Sequence, residues 1–249
     1  MLYEDQVREE VSLWAKKLFK QPGMLEQASK KLGMKVNSLI PQKAHDAITA
    51  AVRTIVKTTL FGAEYTPKRK VTFTTLEEAD RQAKDAISLY RKIAAAEGAG
   101  TGAGGILMNV VDFPALIAIK MKFLFELSHI YGYSTTPFSE RIFILSVFQL
   151  AYSGPTERQR MFQRIRNWET EKQQWSSDVN YHKNMDWETF QKEYRDAIDF
   201  RKMLQMIPGI GAVAGAWANY NILEELGETA MNSYRLRRLA EATQRRPVE

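Results

Sequence analysis

Five glycines fall within the nine residues from Glu97 to Gly105, and a long apolar run through Val111, Phe113, Leu116, Phe123 and Leu127 follows at once. Backbone without side-chain bulk lets a second backbone approach closely, and so much apolar surface must be covered. We therefore expect this stretch at the centre of the molecule, with the remaining chain arranged around it. A second segment of the same kind, 203–223, has 21 residues without a charge and sets Gly211 and Gly215 four apart beside Ala212 and Ala216. One helical face there lacks bulk, so the two segments are expected to pack together, with Gly102, Gly104 and Gly105 opposite Gly211 and Gly215. Spanning a bilayer takes about 20 apolar residues. The later segment carries Gln205, Pro208, Asn219 and Asn221, and the earlier one carries Asp112, so packing is favoured over insertion.

The surrounding sequence repeats apolar residues at helical spacing, and no β-branched run is bounded like a strand. Residues 3–20 put Val7, Val11, Trp14 and Leu18 on one face. A second helix over 25–39 buries Leu25, Leu32 and Leu39, and a third over 44–56 buries Ile48, Val52 and Val56 before Gly62 stops it. Thr75 and Glu78 have capping-box spacing ahead of Ala79, Ala83, Ile87 and Tyr90, which predicts a fourth helix ending near Ala96. The apolar run then resumes, with a kink or break close to Asp112 because Pro114 lacks a backbone donor. Thr136-Pro137 predicts the next start, with Ile142, Leu145, Phe148 and Leu150 inward. Gly154-Pro155 predicts another, with Met161, Ile165, Trp168 and Trp175 on one stripe. Asp186 caps a further helix through Phe190 and Tyr194, and 224–239 reads as amphipathic. The sum is an all-α protein, a single multi-helix domain of about eight or nine helices over 1–249, packed around the two Gly/Ala-rich segments. Its expected parts are basic N-terminal helices at 1–73, a core at 74–240 and a tail at 241–249.

Charge and cysteine usage narrow the function. The net charge is +6, and between Lys16 and Lys70 twelve Lys or Arg face only Glu26, Asp46 and Glu64, while Arg235, Arg237, Arg238, Arg245 and Arg246 add to the end of the chain. Such clustering suits an anionic partner, a membrane surface before a nucleic acid, since no helix-turn-helix or interleaved stacking aromatics accompany it. With no cysteine, thiolate nucleophiles, thiolate metal sites and disulfides are excluded. The opening Met1-Leu2-Tyr3-Glu4-Asp5 lacks the form of a secretory signal, so a cytoplasmic location is expected, peripheral to the inner face of the membrane.

Motifs for chemistry are sparse. The glycines at 98, 100, 102, 104 and 105 precede a helix as in a phosphate-cradling loop, but no Gly-Lys-Ser or Gly-Lys-Thr follows and no strand precedes. Glu126 and His129 are three apart, the spacing of two metal ligands on one helix face, with Glu97, Asp112 and Glu140 as companions. That pair carries an alternative reading, a metal-dependent hydrolase or oxidase, although a second Glu-x-x-His is missing. Trp168, Trp175, Tyr181 and Trp187 read first as core and rim. Asp112, an acid among apolar neighbours, is read as a helix cap, then as the partner of Lys120 or Arg141, then as a functional acid with a shifted pKa.

Taken together, several pieces resemble the EcsC family. They are Glu97 through Gly102 and Gly105 into Asp112-Phe113-Pro114, Tyr131-Gly132-Tyr133 followed by Glu140-Arg141, and Pro208 with Gly211 and Gly215 running on to Asn219, Leu226-Gly227 and Ala230. The resemblance implies a bacterial protein typically encoded beside the ATPase and membrane subunits of an ABC transporter, with no established activity, catalytic residue or cofactor. The expected function is a non-enzymatic accessory or binding protein at the cytoplasmic face of the membrane.

Overall fold

The computed structural model describes residues 2–20, 50, 54, 56–60, 74–102, 113–175 and 212–245. Among them the regular elements are α1 (Tyr3–Leu18), α2 (Leu76–Gly102), α3 (Phe113–Ile130), α4 (Phe138–Tyr152), α5 (Pro155–Arg166), α6 (Trp168–Glu171), a 3-10 turn (Lys172–Gln174) and α7 (Ala212–Arg245). A helical stretch at 56–60 accompanies them and buries Val56 and Leu60, in keeping with the end of the third expected helix. The second expected helix, the Asp186 helix, Tyr181, Trp187, Gly105, Asp112, Pro208 and Gly211 lie outside the described residues.

The 34-residue helix α7 is the axis of the fold. It packs most extensively on α2 and also meets α1, α3, α4 and α5. The α2–α7 pair runs antiparallel: Asp80 meets Arg235, Ile87 meets Gly227, and Arg91 meets Glu224 and lies over Tyr220. Small residues let the two approach. Ala79, Ala83, Ala86 and Ala94 are buried along α2, and a Cβ added to Gly227 would stand 2.8 Å from Ile87 Cγ1. No helix among the described residues is long and apolar enough to cross a membrane.

Local signals explain most of the starts. The Thr75 hydroxyl accepts the Glu78 backbone N–H at 3.2 Å, but the return half of the capping box is not made, because the Glu78 carboxylate takes hydrogen bonds from Arg81 and Gln82 instead. Gly154 precedes α5 and Pro155 occupies its first turn, as expected. At α4 the start is shifted: Pro137 is itself the N-cap, in extended backbone, and Thr136 stands outside the helix.

Three further expectations need correction. Helix α2 does not end near Ala96 but continues through Glu97, Gly98 and Gly100 to Gly102. A glycine costs about 1 kcal/mol relative to alanine in a helix, which is too little to stop a helix already docked along its inner face. The expected kink or break close to Asp112 falls outside the described residues; α3 is described from Phe113, which puts Pro114 in its first turn, where a missing donor costs nothing. The Met161, Ile165, Trp168 stripe is buried as read, but the chain breaks at Asn167 into separate helices. Finally, the polar residues of the amphipathic stretch 224–239 do not all face water: Asn232, Ser233, Arg235 and Arg237 are buried along with Leu226, Ala230, Tyr234 and Leu239.

Candidate functional site

The polar interior gathers where the last turns of α7 cross the ends of α2, α3 and α4. The turn that sets it up is Tyr131-Gly132-Tyr133. Gly132 has φ 89°, the left-handed conformation that side chains disfavour. Its N–H donates to the His129 carbonyl at 3.0 Å and the Tyr133 N–H to the Ser128 carbonyl at 2.9 Å, the paired closure that ends a helix at glycine. This reversal brings both tyrosines against α7, where Tyr234 stacks on Tyr131 at 5.3 Å and on Tyr133 at 5.7 Å between ring centroids.

On one side of this stack lies Asp80, 1% exposed. Its carboxylate accepts from Tyr131 Oη at 2.5 Å, from Tyr3 Oη at 2.6 Å and from Arg235 Nε at 2.9 Å. Arg235, 2% exposed, also donates through Nη1 to Glu10 at 3.0 Å and to the Asn232 side chain at 3.3 Å. One aspartate thereby ties α1, α2, the α3 turn and α7 together. Burial, reinforced by the hydrogen bond to Asp80, pushes the Tyr3 hydroxyl up to about 12 and the Tyr131 hydroxyl well above its ordinary value. Burial by itself would lower the Arg235 guanidinium, but the bond and charge of Asp80 outweigh it and hold the group above its usual range.

On the other side lies Arg237. Its two terminal nitrogens donate to Glu140 at 2.6 and 2.8 Å, a bidentate pair, while Nε faces Glu169 and Glu241, each at 3.5 Å. The guanidinium lies over the Tyr133 ring at 3.8 Å, and the Tyr133 hydroxyl donates to Glu241 at 2.9 Å. Burial opposes charge here too, and Glu140 wins, keeping Arg237 above its ordinary range. Two neighbouring arginines close backbone ends. Arg238 donates to the Tyr131 and Thr74 carbonyls at 2.9 and 2.7 Å. Arg141 donates to the carbonyls of Thr135 at 2.8 Å and Leu60 at 3.1 Å.

The structure thus brings Tyr131, Gly132, Glu140 and Arg141 into one cluster. Glu97 and Gly102 lie in the last part of α2, Pro114 in the first turn of α3 and Gly215 in the first turns of α7. Asp80, Tyr234, Arg235 and Arg237 were missed by the sequence reading. The one available signal was an acid, Asp80, set between Ala79 and Ala83 on the inner stripe of α2. The three α7 arginines, read as surface charge, are turned inward.

The proposed metal pair is engaged otherwise. Glu126 accepts the Tyr90 hydroxyl at 2.8 Å, and His129 Nε2 is 3.1 Å from the Thr135 hydroxyl. Among the described residues no group of three or more His, Asp or Glu is placed to hold a metal ion. Chemically the cluster holds its protons and charges in fixed pairs. Such an arrangement fixes the relative positions of α1, α2, α3, α4, α6 and α7.

The sequence model of the EcsC protein family matches residues 5–239. Protein EcsC of Bacillus subtilis (strain 168) is 45% identical over 229 residues, covering 92% of this chain and 93% of that protein. The uncharacterized protein YdbA of the same organism is 29% identical over 150 residues, covering 59% of this chain and 53% of YdbA. No solved structure matches the chain. With a family match spanning both arms of the ion-pair cluster and a relative this similar along almost its whole length, the chain belongs to the EcsC family.

Proposed function

We propose that this protein is a non-catalytic accessory factor that binds the anionic inner face of a membrane, beside the subunits of an ABC transporter. The observation that carries the membrane part is where positive charge remains available. Arg235, Arg237 and Arg238 are committed to internal carboxylates and carbonyls. In the first quarter Lys16, Lys20 and Lys57 are exposed, and Lys84, Lys92 and Lys122 add exposed positive charge elsewhere. Each Lys or Arg near an acidic leaflet contributes about 1 kcal/mol, so a handful suffices to hold a protein there. The accessory role is supported by the closed pairing of the interior, which joins helices rather than presenting reactive groups. The transporter association rests on the family resemblance alone.

Flotation with phosphatidylglycerol-containing vesicles tests the membrane reading. The protein is expected to rise with these vesicles at low salt and to stay behind with neutral phosphatidylcholine vesicles. Retention in the soluble fraction with both would sink it.

A further inference from the structure

The membrane reading leaves open which surface meets the lipid, and α1 answers it. Its inner stripe, Val7, Val11 and Trp14, is buried in the core, and its ends are tied down by Tyr3 to Asp80 and by Lys17 to Glu228. The helix therefore stays docked, and only its outer face is free to meet a partner. Of the five large hydrophobic side chains exposed among the described residues, Leu2, Leu13 and Phe19 belong to α1 or its immediate flanks, at 68%, 58% and 39% exposure. Phe19 is partly covered, edge-on against Phe162 at 5.1 Å. Leu13 lies away from the inner stripe, at helical register with Lys16, and Lys20 follows just past the helix end; both lysines are exposed.

Charge along that outer face is polarised. Its N-terminal half presents Asp5 and Glu9, and its C-terminal end presents Lys16 and, just past the helix, Lys20. An acidic leaflet attracts the second half and repels the first, so the helix meets it tilted, C-terminal end down. Apolar residues set among lysines insert shallowly at the headgroup boundary while the ammonium groups meet lipid phosphates.

Resting on the membrane reading above, we infer that the outer face of the C-terminal half of α1, Leu13 with Lys16, Phe19 and Lys20, is the surface that docks on an anionic bilayer. The partner is the lipid surface itself, and contact requires no rearrangement of the fold.

The chain has no cysteine, so Leu13→Cys offers one site for a polarity-sensitive fluorophore, with Asp85→Cys on the exposed face of α2 as the control. On vesicles of phosphatidylglycerol and phosphatidylcholine the label at 13 should shift to the blue and the label at 85 should not. Lys16→Glu with Lys20→Glu should weaken vesicle binding about tenfold or more, with unchanged helicity by circular dichroism. If the protein floats with the vesicles while the label at 13 is silent, or while the double variant binds like the wild type, the α1 surface is wrong and the membrane reading stands. If the wild-type protein does not float, both fall.

Discussion

At Arg237 a guanidinium 4% exposed faces Glu140, Glu169 and Glu241 and lies over Tyr133. Desolvating such a pair is costly, and its attraction offsets that cost only while both partners are present. Arg237→Met should therefore destabilise by about 3–5 kcal/mol, because it leaves Glu140 buried without its cation. The double variant Arg237→Met, Glu140→Leu should recover part of that loss. Urea unfolding of the three proteins checks this, and equal stability of single and double variants would refute the argument.

The tyrosines give a pH prediction of defined sign. Tyr3 ionises at about 12 in the folded state against an ordinary 10, and Tyr131 is raised in the same direction. Between those values the folded chain keeps a proton that the unfolded chain has lost. The stabilisation is full below pH 10 and is lost as pH rises through 12. Alkaline unfolding is expected in that window, with tyrosinate absorption from the buried rings appearing together with loss of helicity. Complete tyrosine titration near pH 10 with the helices intact would contradict it. Of the residues in this cluster, Tyr131, Gly132, Glu140 and Arg141 stood out in the sequence as pieces of the family resemblance, and Glu140 also as a companion of Glu126 and His129. Asp80, Arg235 and Arg237 did not, because their partners are 155, 225 and 97 positions away.

For the helices, the decisive contact is Gly227 against Ile87. The added Cβ would meet three Ile87 atoms at 2.8, 3.1 and 3.2 Å, and a β-branched side chain inside a helix has little freedom to turn away. Gly227→Val should push α2 and α7 apart and cost about 1–3 kcal/mol, with recovery when Ile87→Ala is added. Thermal melting of both variants decides it, and an unperturbed Gly227→Val protein would show that the helices have slack. Helix starts were legible wherever a side chain or a proline acts on its own turn, as at Thr75 and Pro155. The end of α2 was not: it runs on to Gly102 because packing on α7 along its length outweighs the low propensity of a few glycines.

Across the whole molecule, positive charge divides into an inner set that holds helices together and an outer set that faces solvent. Salt separates the two. Between ionic strengths of about 0.01 and 0.15 M the screening length falls from roughly 30 to 8 Å, which weakens exposed charges and leaves desolvated pairs nearly untouched. Vesicle binding should fall steeply over that range while the melting temperature hardly moves. A parallel loss of both would mean that the inner pairs are wetter than their 1–11% exposure implies.

The sequence by itself determined that this chain is all-helical and that α1 docks through Val7, Val11 and Trp14, since periodicity and capping are local properties of a few consecutive residues. Only the tertiary structure decided that the last helix is the axis of the fold, and that its arginines point inward. A charged side chain looks the same in sequence whether it meets water or a carboxylate, and Asp80 and Glu140 reach Arg235 and Arg237 only when distant helices are brought together.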